Sequence, residues 1–141
     1  MTSKKGKTKI IKGIKDEKNI NSDINFIEYP VFSFRYLQEY SLEECNDASF
    51  LVNFLFRLLK LSELGWKEIE KSNRHSYGTE YIPIKQFKPK THPFIITPDV
   101  DKLCVFRSNG DNRAFAGIRK GNIFEIIYIE ATINDLYAHS N

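Results

Sequence analysis

With 141 residues, 41% of them hydrophobic and 13% aromatic, the chain holds enough material for one domain with a real core. No run of about 18 apolar residues occurs, which argues against a membrane span, and the lysine-rich start lacks the apolar stretch and cleavage site of a secretory signal. The net charge of +3 is unevenly spread: residues 1–24 hold seven Lys against Asp16, Glu17 and Asp23, while the rest holds 14 basic and 15 acidic side chains.

Residues 1–24 are rich in Lys, Asn and Gly and read as a basic flexible tail. It is a solvated end, a phosphate-tracking arm or an added strand. Residues 25–141 read as the folded domain. Asn25 to Tyr36 is aromatic and β-branched, with Phe32, Phe34 and Tyr36 on one face at period 2. It predicts a first strand, with Pro30 at its start or on an edge. Asp47 to Leu61 predicts the strongest helix. Asp47 is its N-cap, Phe50, Phe54, Leu58 and Leu61 form its stripe, and Leu51, Leu55 and Leu59 widen that stripe against a sheet. Ser62 is read as the cap of a second helix, Glu63 to Lys71, with Trp66 and Ile69 inward and a break near Gly65.

Asn73 to Glu80 is a polar loop dense in ionisable groups. Tyr81 to Ile84 is a short strand blunted by Pro83. Lys85 to Pro98 is an irregular, proline-rich excursion. Leu103 to Ser108 and Arg113 to Arg119 are strands flanking Asn109-Gly110-Asp111-Asn112, a hairpin signal. After the turn at Lys120–Asn122 comes Ile123 to Glu130, the most hydrophobic strand and therefore an interior one. The order implies an α+β, two-layer sandwich: a strand, a helical hairpin, then an antiparallel sheet. The helices cover one face, and the other is expected to stay partly open, with the basic residues pointing from it.

Arg107, Arg113, Arg119 and Lys120 are set into those strands and turns, and Tyr137 and His139 follow the last strand. Guanidiniums fixed on a sheet make an anion site, and the phenol and imidazole add groups that move protons. The rival readings are plain: a solvated strand arginine, a local Arg113–Asp111 pair, a frayed terminal His139 and a docking Tyr137. Glu130 is either a supporting partner or a surface acid. Three His and no close Cys/His pairs argue against a metal site, and no glycine-rich phosphate loop or other cofactor motif is present. Cys45 and Cys104 are too few and too far apart for a disulfide scaffold. They read as thiols in a reducing compartment, by default the cytoplasm.

The ordered set LCVFRSNGDNRAFAGIR, IFEIIYIE and LYAH resembles the RelE/ParE superfamily of small basic bacterial toxins over residues 26–139. It looks like that family's pattern of an arginine in one strand, a Gly-Asp turn, an arginine opening the next strand, an apolar strand and a terminal His/Tyr element. The resemblance implies a RelE-like fold and a type II toxin held inactive by a cognate antitoxin protein. It also implies metal-free cleavage of mRNA, in many members on the ribosome. Arg107 and Arg113 would match the two strand arginines, and Tyr137 and His139 the C-terminal pair. The chain departs from the pattern in its long Arg74–Glu80 loop, its N-terminal extension and the Ala138 between Tyr137 and His139.

Such cleavage needs a base for the 2′-hydroxyl, cations for the charge on phosphorus and an acid for the leaving 5′-oxygen. Arg107 and Arg113 are assigned to the phosphate, His139 or His75 to the proton transfers, Tyr137 to a base or the 2′-hydroxyl, and Glu80 to a further base. Arg74, Arg119 and Lys120 are assigned to RNA binding. The alternatives are a RelE/ParE-fold protein that inhibits gyrase or a phage factor by binding, and a module that binds RNA or protein without cleavage.

Overall fold

The structure is a computed structural model and describes residues 27–108 and 112–139. One mixed sheet contains β1 (Val31–Ser33), β2 (Thr79–Pro83), β3 (Lys102–Arg107), β4 (Ala114–Lys120) and β5 (Ile123–Ile129), in the order β1-β5-β4-β3-β2. Strands β2 to β5 run antiparallel to their neighbours, and β1 joins β5 in parallel. Helices α1 (Ala48–Glu63) and α2 (Trp66–Lys71) pack on one face. The architecture is α+β, as the element order implies, with a mixed rather than purely antiparallel sheet. The basic tail, Asn25, Phe26 and the turn residues Asn109, Gly110 and Asp111 lie outside the described residues.

Local chemistry explains most boundaries. Asp47 caps α1 by accepting the Phe50 N–H at 3.0 Å. Ser62 does not cap α2. Its hydroxyl donates to the Leu58 carbonyl one turn back, and Gly65 stands at the N-cap without a side-chain bond. β1 is only three residues long and begins after Pro30, which cannot donate to a ladder. The expected Phe32/Phe34/Tyr36 face is therefore split: Phe32 enters the helix-side core, Tyr36 packs on the other face, and Phe34 is exposed. Thr79 and Glu80 belong to β2 rather than to the preceding loop, which puts Glu80 on the sheet itself.

The helix-side core is aromatic. Phe106, Phe115 and Phe124 project from three adjacent strands, and Phe54, Trp66 and Phe32 close over them. Phe106 and Phe115 stack at 5.0 Å, and Phe54 meets Phe115 edge-on at 5.1 Å. Such pairs add about 0.5–1.5 kcal/mol each beyond simple burial. Leu51, Leu55 and Leu59 do not join this core. They lie on the exposed side of α1.

The second face of the sheet is closed, contrary to the expectation of an open platform. Ile82, Leu103, Val105, Ala114, Ala116, Ile127 and Tyr128 are covered there by Phe87, Ile95 and Ile96 of the proline-rich excursion and by Leu136 and Tyr137. The excursion is irregular in hydrogen bonding but is a structural layer in packing. A bulge makes this layer possible. Ala116 pairs with Tyr128 and Gly117 with Ile126, so Ile127 has no partner, and both Ile127 and Tyr128 turn to the second core. The Ile127 carbonyl accepts the Gln38 N–H instead, at 2.8 Å.

Gly117 is required at this crossing. A Cβ there would stand 1.9 Å from the Glu125 carbonyl oxygen, inside two bonded backbones that cannot yield. Gly121 is needed only for its φ of +65°, with open space around it. Gly121→Ala should therefore cost about 1–2 kcal/mol, the ordinary left-handed penalty. Gly117→Ala should cost distinctly more, and denaturant midpoints would rank the two.

Candidate functional site

One end of the sheet gathers charge. There β3 ends at Arg107, β4 begins at Ala114, β5 runs into Glu130, and the C-terminal segment folds back across the second face. Glu80 on β2 pairs across from Val105, whose side chain is in the second core, so Glu80 faces the same side as Arg107.

The contacts form a chain. Arg74 reaches Glu80 at 2.7 Å, and the other Glu80 oxygen holds Arg107 at 2.7 Å. Arg107 also donates to the Asn112 carbonyl at 3.0 Å and lies 3.2 Å from Nδ1 of His139. Nε2 of His139 lies 2.8 and 3.0 Å from the two carboxyl oxygens of Glu130. The imidazole stacks on the Tyr137 ring at 4.4 Å, nearly parallel. Its backbone N–H is fixed by Asn134, which itself adopts a φ of 73°.

These contacts set the tautomer. A guanidinium has N–H donors and no acceptor, so Nδ1 of His139 must accept from Arg107. The proton then sits on Nε2 and is donated to Glu130. Glu130 is fully buried and also accepts the backbone N–H groups of Ala114 at 3.0 Å and Leu136 at 3.2 Å. Burial raises its carboxyl pKa above the ordinary value. Hydrogen bonds from Leu136, Ala114 and His139 and the neighbouring imidazole pull it back. Burial likewise pushes the Tyr137 phenol up to about 12, so it stays protonated at neutral pH. The Tyr137 hydroxyl and Arg107 Nε are both buried and find no hydrogen-bond partner among the described residues. Two orphan polar groups in one cluster are uncommon in a finished core.

Six of the nine residues assigned from sequence thus converge: Arg74, Glu80, Arg107, Tyr137 and His139 directly, and His75 at the rim. The exposed His75 takes an N–H from Arg74 on its Nε2 at 3.3 Å. Glu80 is bound to two guanidiniums, which makes it an anchor and a poor base.

Arg113 is the principal correction. It lies on the helix side, 4.1 Å over the Phe50 ring, donates to the Ala131 carbonyl at 2.7 Å and lies 3.6 Å from Asp47. The reason is strand alternation: Ala114 faces the second core, so the residue before it faces the first. Arg107 and Arg113 therefore do not form a clamp. Arg107 itself is only 11% exposed in its side chain and is tied to Glu80.

Arg119 and Lys120 do not join the cluster either. They sit at the opposite end of β4, roughly 20 Å of strand away. Arg119 stacks on Trp66 at 4.0 Å and pairs with Glu70 at 2.7 Å, a solvated cation holding α2 to the sheet.

Glu130 is the residue that sequence reasoning left undecided. Its signal was an acid ending an apolar strand nine residues before His139. Among the described residues no group of three His, Cys, Asp or Glu gathers as a metal-ligand set, and no helix is long and apolar enough to cross a membrane. Cys45 and Cys104 are both free thiols. A groove of about 360 Å³ lies on the Arg113 side, between Glu44–Asp47 and Ala131–Ile133. It does not include His139 or Arg107. No protein-family model, no curated protein and no solved structure matches the chain.

Two outcomes follow. Tyr137→Phe removes a buried hydroxyl without a partner, so thermal unfolding should show unchanged or higher stability, up to about 1–2 kcal/mol. For Glu130, a folded-state pKa raised above 4.5 means the native state holds its proton more tightly than the unfolded chain. That contribution is present at low pH and lost as pH rises through the raised value. The stability advantage of wild type over Glu130→Gln should therefore shrink as pH climbs from about 4.5, as read by denaturant titration.

Proposed function

We propose that this chain is a metal-free endoribonuclease of the RelE-like toxin type, with His139 as its proton-transfer group. One observation supports this most: His139 is held between Glu130 and Arg107, beside two buried polar groups, Arg107 Nε and the Tyr137 hydroxyl, that have no hydrogen-bond partner among the described residues. A histidine whose tautomer is fixed by a carboxylate on one nitrogen, with the other facing a guanidinium, is set up for proton transfer at a defined atom.

The proposed chemistry is in-line attack by a ribose 2′-hydroxyl on the neighbouring phosphorus. Arg107 turns from His139 to the phosphate, which frees Nδ1. The 2′-hydroxyl proton passes to Nδ1, and Glu130 steadies the imidazolium that forms. The 2′-oxygen–phosphorus bond forms, the phosphorus–5′-oxygen bond breaks, and the leaving oxygen takes a proton from His75 or from water. The products are a 2′,3′-cyclic phosphate and a 5′-hydroxyl. Arg74, the more exposed guanidinium, takes the phosphate-guiding role first given to Arg113, and Tyr137 orients the imidazole by stacking. In this reading the substrate is mRNA, free or on the ribosome, a cognate antitoxin restrains the enzyme, and the compartment is the cytoplasm, where both thiols stay reduced.

A second reading has its own support. Glu80 neutralises both Arg74 and Arg107 in the resting arrangement. That favours a non-catalytic protein of the same fold class that inhibits a target, gyrase or a phage factor, or binds RNA without cutting it.

Purified full-length chain incubated with cellular RNA in EDTA separates the two. The nuclease reading expects fragments ending in cyclic phosphate. His139→Ala and Arg107→Ala should each lose about 10²-fold or more in rate. Arg113→Ala should lose activity only in proportion to its stability. Intact RNA in this assay, together with intact mRNA in cells whose growth arrests on expression, would sink the nuclease and leave the binding protein.

A further inference from the structure

The proline-rich excursion that seals the second face holds one ring outside the core it completes. Phe94 is 79% exposed, the most exposed large apolar side chain among the described residues. Its neighbours fix it there. Ile95 and Ile96 pack into the second core, the Ile96 N–H donates to the Pro93 carbonyl at 3.0 Å, and His92 meets the Tyr128 hydroxyl at 2.6 Å.

A lone exposed ring needs no explanation, but this one has company. Tyr36 meets it edge-on at 5.5 Å, and the exposed Arg35 guanidinium lies 5.2 Å from the centre of the Tyr36 ring. Two lysines precede Phe94 on the same segment. Lys90 donates to the Phe87 carbonyl at 3.1 Å and Lys88 to the Asn134 carbonyl at 2.6 Å, both neutral acceptors. Among the described residues no carboxylate pairs with Arg35, Lys88 or Lys90, whereas Arg74, Arg107, Arg113 and Arg119 each face an acid.

The geometry points to a path for single-stranded RNA along this excursion: a base stacks on Phe94 beside Tyr36 and Arg35, and Lys90 and Lys88 take the phosphates that lead toward His139. It rests on the RNA-acting reading above, in its cleaving or its binding form. Stacking rings with acid-free cations suit a ligand that is both aromatic and anionic. An apolar protein face would cover Phe94 but leave the cations without partners. The strand is single because a base within a duplex has no free face to offer an exposed ring.

Lys88 joins the path to the site. Its ammonium sits on the Asn134 carbonyl, and the Asn134 side chain accepts the His139 N–H at 3.0 Å. The Lys88 N–H also donates to the Leu136 carbonyl at 2.6 Å, so the segment is tied to the one that carries His139. From Lys88 to Phe94 the chain spans at most roughly 20 Å, the reach of a few nucleotides.

Binding of the full-length chain to a single-stranded, 2′-O-methylated RNA oligonucleotide carrying 2-aminopurine tests the path. Methylation removes the attacking hydroxyl, so the strand stays whole. Titration in about 0.2 M salt weakens purely ionic attraction, including that of the seven lysines in residues 1–24. Wild type should bind and quench the 2-aminopurine. Phe94→Leu, at an exposed position, should bind about 10-fold more weakly and lose most of the quenching, and Phe94→Trp should restore both. Lys88→Gln combined with Lys90→Gln should reduce the slope of log affinity against log salt by roughly one. A wild type that neither binds nor quenches overturns the proposal. So does a Phe94→Leu chain that matches wild type, or a Phe94→Trp chain no better than Phe94→Leu. Cleavage of unmodified RNA in EDTA is read separately. Quenching without cleavage keeps the path and removes the nuclease, and cleavage without quenching does the reverse.

Discussion

The fully buried carboxyl of Glu130 is the contact on which this end of the molecule depends. Taking a carboxylate out of water is costly unless its lone pairs are occupied. Here the Ala114 N–H, the Leu136 N–H and the His139 imidazole occupy them. Those three donors come from the start of β4 and from two points of the C-terminal segment. One side chain thereby joins the sheet end to a segment that would otherwise fray. It also presents His139 to Arg107, with Leu136 and Tyr137 seated in the second core. Packing and site geometry share one cause.

The sheet is a partition as much as a platform. Its helix side is an aromatic core under α1 and α2, and its other side is sealed by the proline-rich excursion. Strand alternation then assigns each arginine. Arg107 is cross-strand to Ala114 and shares its face, while Arg113 is next to Ala114 in the chain and takes the other. The single backbone step from Arg113 to Ala114 decides which face of the sheet a side chain reaches. This is why the cluster relies on Arg74 and Arg107, two cations bridged by one carboxylate, rather than on adjacent strand arginines.

Much of this was legible in the sequence, for identifiable reasons. The Asp47 cap, the three C-terminal strands and the Gly121 turn rest on local chemistry that the chain states outright. The outward face of α1 was not legible, because FLVNFLFRLLKL is apolar nearly all round and its periodicity does not say which side meets the sheet. The parallel pairing of β1, the closed second face and the side taken by Arg113 depend on contacts between distant segments. The convergence of Arg74, Glu80, Arg107, Tyr137 and His139 was anticipated by residue type, but Glu130, which organises them, is a lone acid in an apolar strand. Its burial becomes visible only once Leu136 and His139 are folded back over it.

Nitrogen-15 NMR of the imidazole groups in the full-length chain at neutral pH tests the central arrangement most directly. The account predicts that His139 is a neutral ring protonated on Nε2, with that proton shifted far downfield by the Glu130 carboxylate, and that the signal is lost in Glu130→Gln. A His139 protonated on Nδ1, or one rapidly averaging between tautomers like a solvated ring, would contradict it.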